Sequence, residues 1–298
     1  MIETREIAAS GMAFTVAMSG PDGADSLICL HGFPNSRHSW HYLLDDLAAA
    51  GLRGVAPDQR GYSPGARPDG IDSYKAGLIV DDVIALADAL GLGRFHLAGH
   101  DWGGQIAWLT AAKYPERLKT LNVLSRPHPA AFAAAFRDDP EQANRSRHHK
   151  AFQDMAMADR LLADDARAIR SGLAFEVGSA DIGDPDRAPK RRMSDADVDA
   201  HMSVIGNRAA MDAALNWYRA AFAGGSALAR DDVPKITVPT LYLWGEEDMS
   251  VGRMAAEGTA VFVNAPFRFV AVPGAGHFLA EERPDLVNPA IIAHMQDY

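Results

Sequence analysis

The chain has 298 residues, 48% of them hydrophobic, a formal net charge of −10 and a single cysteine, Cys29. That apolar share can build a sizeable core and excludes wholesale disorder; the acidic balance speaks against a nucleic-acid or anionic-membrane surface; one cysteine excludes an intramolecular disulfide. No run of about 18 apolar residues is present, so no spanning helix is expected, and Met1–Ser10, with Glu3, Arg5 and Glu6, lacks an apolar signal core, which points to a cytoplasmic protein.

Ser26–His31 (SLICLH) is a short apolar run of the kind that forms a buried parallel strand. Ser39–Ala50 has helical spacing, with Trp40, Leu43, Leu44 and Leu47 on one side, and Gly51 ends it. Arg53–Asp58 reads as a second strand and Ser73–Leu90 as a second helix closed by Gly91. Arg94–Gly99, Gly103–Lys113 and Leu118–Ser125 continue as strand, helix, strand. This alternation predicts a mostly parallel sheet with helices on both faces. From about Arg126 to Asp232 the rhythm gives way to an Ala-, Arg- and Asp-rich, helix-like stretch with a breaker-rich loop at Gly178–Lys190. Strands resume at Thr240–Trp244 and Phe267–Val272, and a last helix runs from about Arg283. The expected organisation is one α/β core, residues 1–125 and 233–298, interrupted by a helical insertion, 126–232.

Four motifs carry chemistry. Gly99-His100-Asp101-Trp102-Gly103 has the form Gly-x-nucleophile-x-Gly between a strand and a helix, a tight turn that lifts the central side chain above the sheet. The ordinary alternative is a glycine-rich turn with a capping Asp. His31-Gly32-Phe33-Pro34 follows the first clear strand. There Pro34 fixes the turn, and the Phe33 N–H can converge with the Trp102 N–H on a developing oxyanion. His31 itself reads as a buried, hydrogen-bonded histidine. Glu246-Glu247-Asp248 and Gly274-Ala275-Gly276-His277 follow the later strands. Loop placement favours Asp248 over its two neighbours, and the chain order is nucleophile, acid, histidine.

These residues resemble the α/β-hydrolase superfamily, in the branch with an aspartate nucleophile that holds epoxide hydrolases, haloalkane dehalogenases and fluoroacetate dehalogenases. The resemblance covers essentially the whole chain, with the insertion as a cap. Asp58-Gln59-Arg60-Gly61-Tyr62-Ser63 is similar to the family's Asp-x-Arg-Gly-Tyr segment, taken as structural. The resemblance implies an Asp101 ester intermediate, hydrolysed by water that His277 activates while Asp248 orients the imidazole.

In the insertion, Asn216-Trp217-Tyr218-Arg219-Ala220 resembles the epoxide-hydrolase segment whose tyrosine donates to the epoxide oxygen, which places Tyr218 in that role. Many epoxide hydrolases have a second cap tyrosine; Ser146–Phe152 has none. A subgroup uses histidine there, which His149 matches, or His148 if the helix slips by one residue. Trp217, His148 and Pro34 are substrate-pocket candidates, together with Phe33, Trp40, Trp108, Phe132, Phe136, Phe152 and Phe222.

The fluoroacetate group carries arginines after the nucleophile, which this chain lacks. Haloalkane dehalogenases share the tryptophan after the nucleophile, yet their asparagine beside His-Gly is Phe33 here, with Asn35 two residues on. The expected activity is therefore opening of an epoxide to a diol, with haloalkane dehalogenation, or a low-turnover binding role on the same fold, as alternatives. The expected partner is a small epoxide or halogenated molecule, with neither nucleic acid nor membrane. No cofactor and no metal are implied, since adjacent His148-His149 have no further ligand at suitable spacing. Monomer or homodimer is left open.

Overall fold

The computed structural model describes residues 1–174, 192–222 and 232–298. Eight strands form one sheet: β1 (Glu3–Ala9), β2 (Met12–Ser19), β3 (Ser26–Leu30), β4 (Arg53–Pro57), β5 (Phe95–His100), β6 (Leu118–Leu124), β7 (Thr240–Gly245) and β8 (Phe267–Val272). Their order is β1-β2-β4-β3-β5-β6-β7-β8. β2 runs antiparallel to β1 and to β4, and all other neighbours are parallel. The opening hairpin is the part of the sheet that the parallel rhythm did not foretell. β1 is largely exposed, and its Glu3, Arg5 and Glu6 suit an edge strand that must not invite pairing.

Helices α1 (His41–Ala49), α2 (Ala76–Ala89) and α3 (Trp102–Lys113) pack on the core, together with the helices at Leu279–Glu282 and Pro284–Gln296 near the C-terminus. Strands β3, β4, β5 and β7 are buried along their whole length, as expected of strands covered on both faces. The period of two sends Ile28, Leu30 and Leu97 to the face covered by Val83, Leu86 and Ile106. It sends Leu27, Cys29, Ala98 and Leu241 to the face covered by Trp40, Leu43, Leu44, Leu47, Val287 and Ile291. Trp40 and Trp108 are fully buried in these layers. They are core residues and not pocket residues; truncating either to Ala is a change on the order of 3–5 kcal/mol. The predicted start of α1 also shifts: Arg37–Trp40 is a tight 3-10 turn capped by Ser36, and the α-helix begins at His41.

Between β6 and β7 lie α4 (Pro129–Asp138), α5 (Pro140–Arg145), α6 (His148–Ala151), α7 (Met157–Ala174), α8 (Asp195–Ile205) and α9 (Arg208–Phe222). After β7 come α10 (Arg253–Glu257), α11 (Leu279–Glu282) and α12 (Pro284–Gln296). α7 is broken within: Asp164, Asp165 and Ala166 hold φ of 52°, 57° and 55°, so its two halves point separately. The predicted Gly178–Lys190 loop lies outside the described residues. No helix among the described residues is long and apolar enough to cross a membrane.

The register fixes where chemistry can sit. Leu30 pairs with Gly99, His100 with Leu124, and Gly245 with Val272. The loops after β3, β5, β7 and β8 therefore leave the same edge, the C-terminal edge where parallel sheets gather their sites.

Candidate active site

Asp101 joins β5 to α3 with φ 52° and ψ −117°, an uncommon conformation for a residue with a Cβ and one worth about 1–3 kcal/mol of strain. The turn survives because its flanks are glycine. A Cβ on Gly99 would strike the Gly103 carbonyl, and one on Gly103 would strike the Leu30 carbonyl. A Cβ on Gly32 would strike the Asp101 side chain itself, so the β3 loop approaches the carboxylate backbone-first. That approach lets the Phe33 N–H donate to Asp101 Oδ1 at 3.0 Å. Trp102 opens α3, where helix geometry leaves its N–H without an intrahelical acceptor.

His277 stands between two carboxylates. Its Nδ1–H donates to both oxygens of Asp248 at 3.1 Å, and its Nε2 lies 3.6 Å from Asp101 Oδ2. Asp248 Oδ1 also accepts the N–H groups of Ser250 (2.7 Å) and Val251 (3.0 Å). Of the neighbouring acids, Glu246 pairs with Arg253 and Glu247 with Arg192, both away from His277. Burial opposes the imidazolium, but the Asp248 charge and the Asp101 contact outweigh it and raise His277 to about 10. Burial likewise pushes against both carboxylates, yet the His277 cation holds Asp101 and Asp248 below the usual carboxylate range. The resting site is an anion–cation–anion row.

Supports that the motifs did not announce hold this row. The His277 carbonyl accepts from His100 Nε2 (2.7 Å) and Ser125 Oγ (3.1 Å). The inserted helix α5 grips the acid loop: Arg145 donates to the Asp248 carbonyl at 2.6 Å, and Gln142 bonds the Ser250 carbonyl (2.9 Å) and the Gly252 N–H (2.8 Å). From the other side Arg192 pairs with Glu282, whose carboxylate also takes the Gly276 N–H at 2.7 Å. His31 is the buried histidine expected of it: it accepts the Gln59 N–H and is pushed down to about 3 by burial. In the same segment Arg60 forms a two-point pair with Asp82.

A cavity of about 420 Å³ opens over Asp101, with Phe33, Pro34, His148, Phe152, Ala168, Ile169, Gly172, Tyr218, Ser250, His277 and Phe278 around it. Its size suits a small organic molecule. The Tyr218 ring meets Trp102 and Phe152 edge-on at 5.0 and 4.9 Å. Burial first, then the Asp101 charge, raise the Tyr218 phenol well above its ordinary value, so it stays a hydrogen-bond donor. His148 borders the cavity; its Nδ1–H donates to the Arg145 carbonyl at 3.1 Å, and burial lowers its pKa. His149 sits one position behind that lining, its ring 5.7 Å from Tyr218 and close to Phe132. Burial pushes it down to about 2, which leaves a neutral imidazole with one N–H.

Trp217 is not part of this lining. Its indole N–H donates to the Arg60 carbonyl at 2.8 Å, and its ring stands against Trp102 at 5.9 Å. With Trp102 it borders a separate cavity of about 320 Å³ between α9, α2 and α3. Phe132 is buried beneath the Arg126 guanidinium, Phe136 is exposed, and Phe222 packs near His149. Asn35 is fully buried and donates to Glu281 at 2.8 Å, away from Asp101.

The chain is similar to several known epoxide hydrolases along most of its length. Mouse epoxide hydrolase 4 is 33% identical over 97% of this chain and 77% of its own length. Epoxide hydrolase A of Mycobacterium tuberculosis is 30% identical over 97% of this chain and 95% of its own. The crystal structure of epoxide hydrolase A from Mycobacterium thermoresistibile superposes with a TM-score of 0.82 at 28% identity, covering 99% and 98% of the two chains. That of a Bacillus megaterium epoxide hydrolase with an inhibitor gives a TM-score of 0.84 at 25% identity, covering 98% and 100%. The sequence profile of the alpha/beta hydrolase fold matches residues 25–284. With that match across most of its length and the elbow, acid and histidine on the expected loops, the chain belongs to the α/β-hydrolase family.

Proposed function

We propose that this protein hydrolyses epoxides to vicinal diols through an ester of Asp101. The observation that carries the reading is one ionised carboxylate on a strained turn, facing a protonated buried phenol across an apolar cavity. A carboxylate ionised at neutral pH needs no base to displace at a saturated carbon. Its oxygen attacks one ring carbon of the epoxide. The C–O bond breaks, and the alkoxide takes a proton from the Tyr218 hydroxyl, with His149 or His148 as the second donor to that oxygen. The ester is then attacked by water at its carbonyl. His277 removes the water proton, Asp248 steadies the imidazolium, and the Phe33 and Trp102 N–H groups hold the oxyanion. Collapse releases the diol and restores the carboxylate, and the proton returns to Tyr218. The helical insertion, residues 126–232, serves as the cap that supplies the donor and the apolar walls.

The resting charge pattern fits this order of events. Ester formation removes the Asp101 charge, one of the two anions that keep His277 protonated. The imidazole then sheds its proton more readily and becomes a base at the step that needs one. Dehalogenation gains no comparable support, because Asn35 is committed to Glu281.

The test is diol formation from a panel of terminal, internal and aryl epoxides, with Asp101→Ala and His277→Gln beside the parent. The expected result is diol from the parent, none from Asp101→Ala, and an adduct on Asp101 with the mass of one epoxide in His277→Gln. Halide release from haloalkanes without any diol would transfer the reading to dehalogenation. Neither product and no adduct would leave a binding role.

A further inference from the structure

The sequence scatters His38, His41 and Asp197 over 160 positions, and the fold brings them together where α8 of the insertion meets the first turns after β3. His38 Nε2 lies 3.0 Å and His41 Nε2 3.7 Å from Asp197 Oδ1, and all three ligand atoms lie within 4.8 Å of one another. Ligand atoms around a tetrahedral zinc ion, at bonds of about 2.0–2.1 Å, stand roughly 3.3 Å apart, so the three atoms lie near that spacing and side-chain rotation would bring them onto one ion.

The surrounding hydrogen bonds point the same way. His41 Nδ1–H donates to the His38 carbonyl at 2.8 Å, which fixes the tautomer that leaves a lone pair on Nε2. Histidines that bind metals are held in this manner, by a second partner on the far nitrogen. Asp197 Oδ2 accepts the Ser194 hydroxyl at 2.6 Å and, in the capping box of α8, the Ser194 N–H at 3.3 Å, which leaves Oδ1 facing the two rings. The two rings are stacked at 4.1 Å and nearly parallel. They must splay for both lone pairs to meet one ion, and their part-exposed side chains, at 29% and 22%, have room to do so.

We propose that His38, His41 and Asp197 form a binding site for a zinc-like divalent cation that ties the insertion to the core, with water in the fourth position. Two imidazoles and one carboxylate select a borderline-soft ion such as Zn²⁺ over Mg²⁺ or Ca²⁺. Two ligands come from the core and one from the insertion, so the ion would oppose their separation and act at a distance from Asp101.

The experiment uses the whole chain, stripped with chelator. Zn²⁺ is added, bound metal is counted after dialysis, and thermal midpoints are recorded for the parent, His38→Gln and His41→Gln; circular dichroism checks that the variants fold. The expected outcome is that each variant binds one Zn²⁺ per chain fewer than the parent, and that zinc raises the midpoint of the parent alone. Equal zinc content in parent and variants, or an equal midpoint rise, overturns the site. So does a parent midpoint that Mg²⁺ raises as much as Zn²⁺ does.

Discussion

At the scale of single residues, His277 is defined by its two anions. Asp101→Ala removes one, and the imidazole pKa should fall clearly below about 10. Imidazole nitrogen NMR across a pH titration measures it directly; an unmoved value would show that Asp248 alone sets the charge. Asp101, Asp248 and His277 were legible in the sequence because each sits in a loop whose neighbours are constrained. Glycines admit the tight turn, and strands before each loop fix its place in the sheet. Which histidine of α6 borders the cavity beside Tyr218 was not legible to the residue. Successive helical positions point about 100° apart, and α6 is a single short turn whose register local pattern cannot set. The structure lines the cavity with His148 and sets His149 behind it. The pocket tryptophans illustrate the opposite limit: an aromatic at helical spacing looks the same whether it faces a substrate or, like Trp40 and Trp108, the sheet.

At the scale of elements, the insertion does more than roof the cavity. Through Gln142 it closes the buried loop that carries Asp248, satisfying a carbonyl of Ser250 and an N–H of Gly252. Gln142→Leu keeps the volume and strands both groups, a loss of about 1–3 kcal/mol for each buried group left unpaired. The expected outcome is a lowered thermal midpoint together with a fall in kcat larger than any change in KM, because the loop orients the acid and does not touch substrate. A kcat equal to the parent's would show that the Ser250, Val251 and Arg145 contacts hold Asp248 without Gln142. No periodicity could reveal this tie, since its ends are more than a hundred residues apart. The same distance hid the association of His38 and His41 with Asp197. The β1–β2 hairpin escaped for another reason: β1 carries polar residues at the edge, and the apolar β2 is followed by no helix that would mark it as a unit of the alternating pattern.

At the scale of the whole molecule, buried ionisable groups shape stability against pH. His277 has a folded pKa raised from 6.5 to about 10, so its contribution is complete below pH 6.5 and is lost as pH rises through about 10. His31, His128, His149 and His294 behave in reverse. Burial lowers them to about 3, 4, 2 and 4, so the stability of keeping them neutral is present above pH 6.5 and is lost as pH falls toward those values. Burial lowers His38, His96, His100 and His148 too, so stability should peak near pH 6.5 and fall more steeply on the acid side, where all these histidines take up protons, than on the alkaline side, where His277 leads. Urea midpoints measured from pH 4 to 10 test this; His277→Gln should flatten the alkaline limb and, because the His277 cation also holds Asp101 and Asp248 low, soften the acid limb as well. A steeper alkaline limb would refute the assignment.

The break in α7 turns the second half of that helix so that Ala168, Ile169 and Gly172 face the cavity. A methyl group added at Gly172 would meet no atom within 4 Å. Alanine in a helix interior is also favoured over glycine by roughly 0.5–1 kcal/mol. This wall can thus be thickened by one methyl group while the helix gains stability. Selection for smaller substrates would meet no opposition from folding, and the breadth of what this protein accepts can drift independently of the catalytic row beneath it.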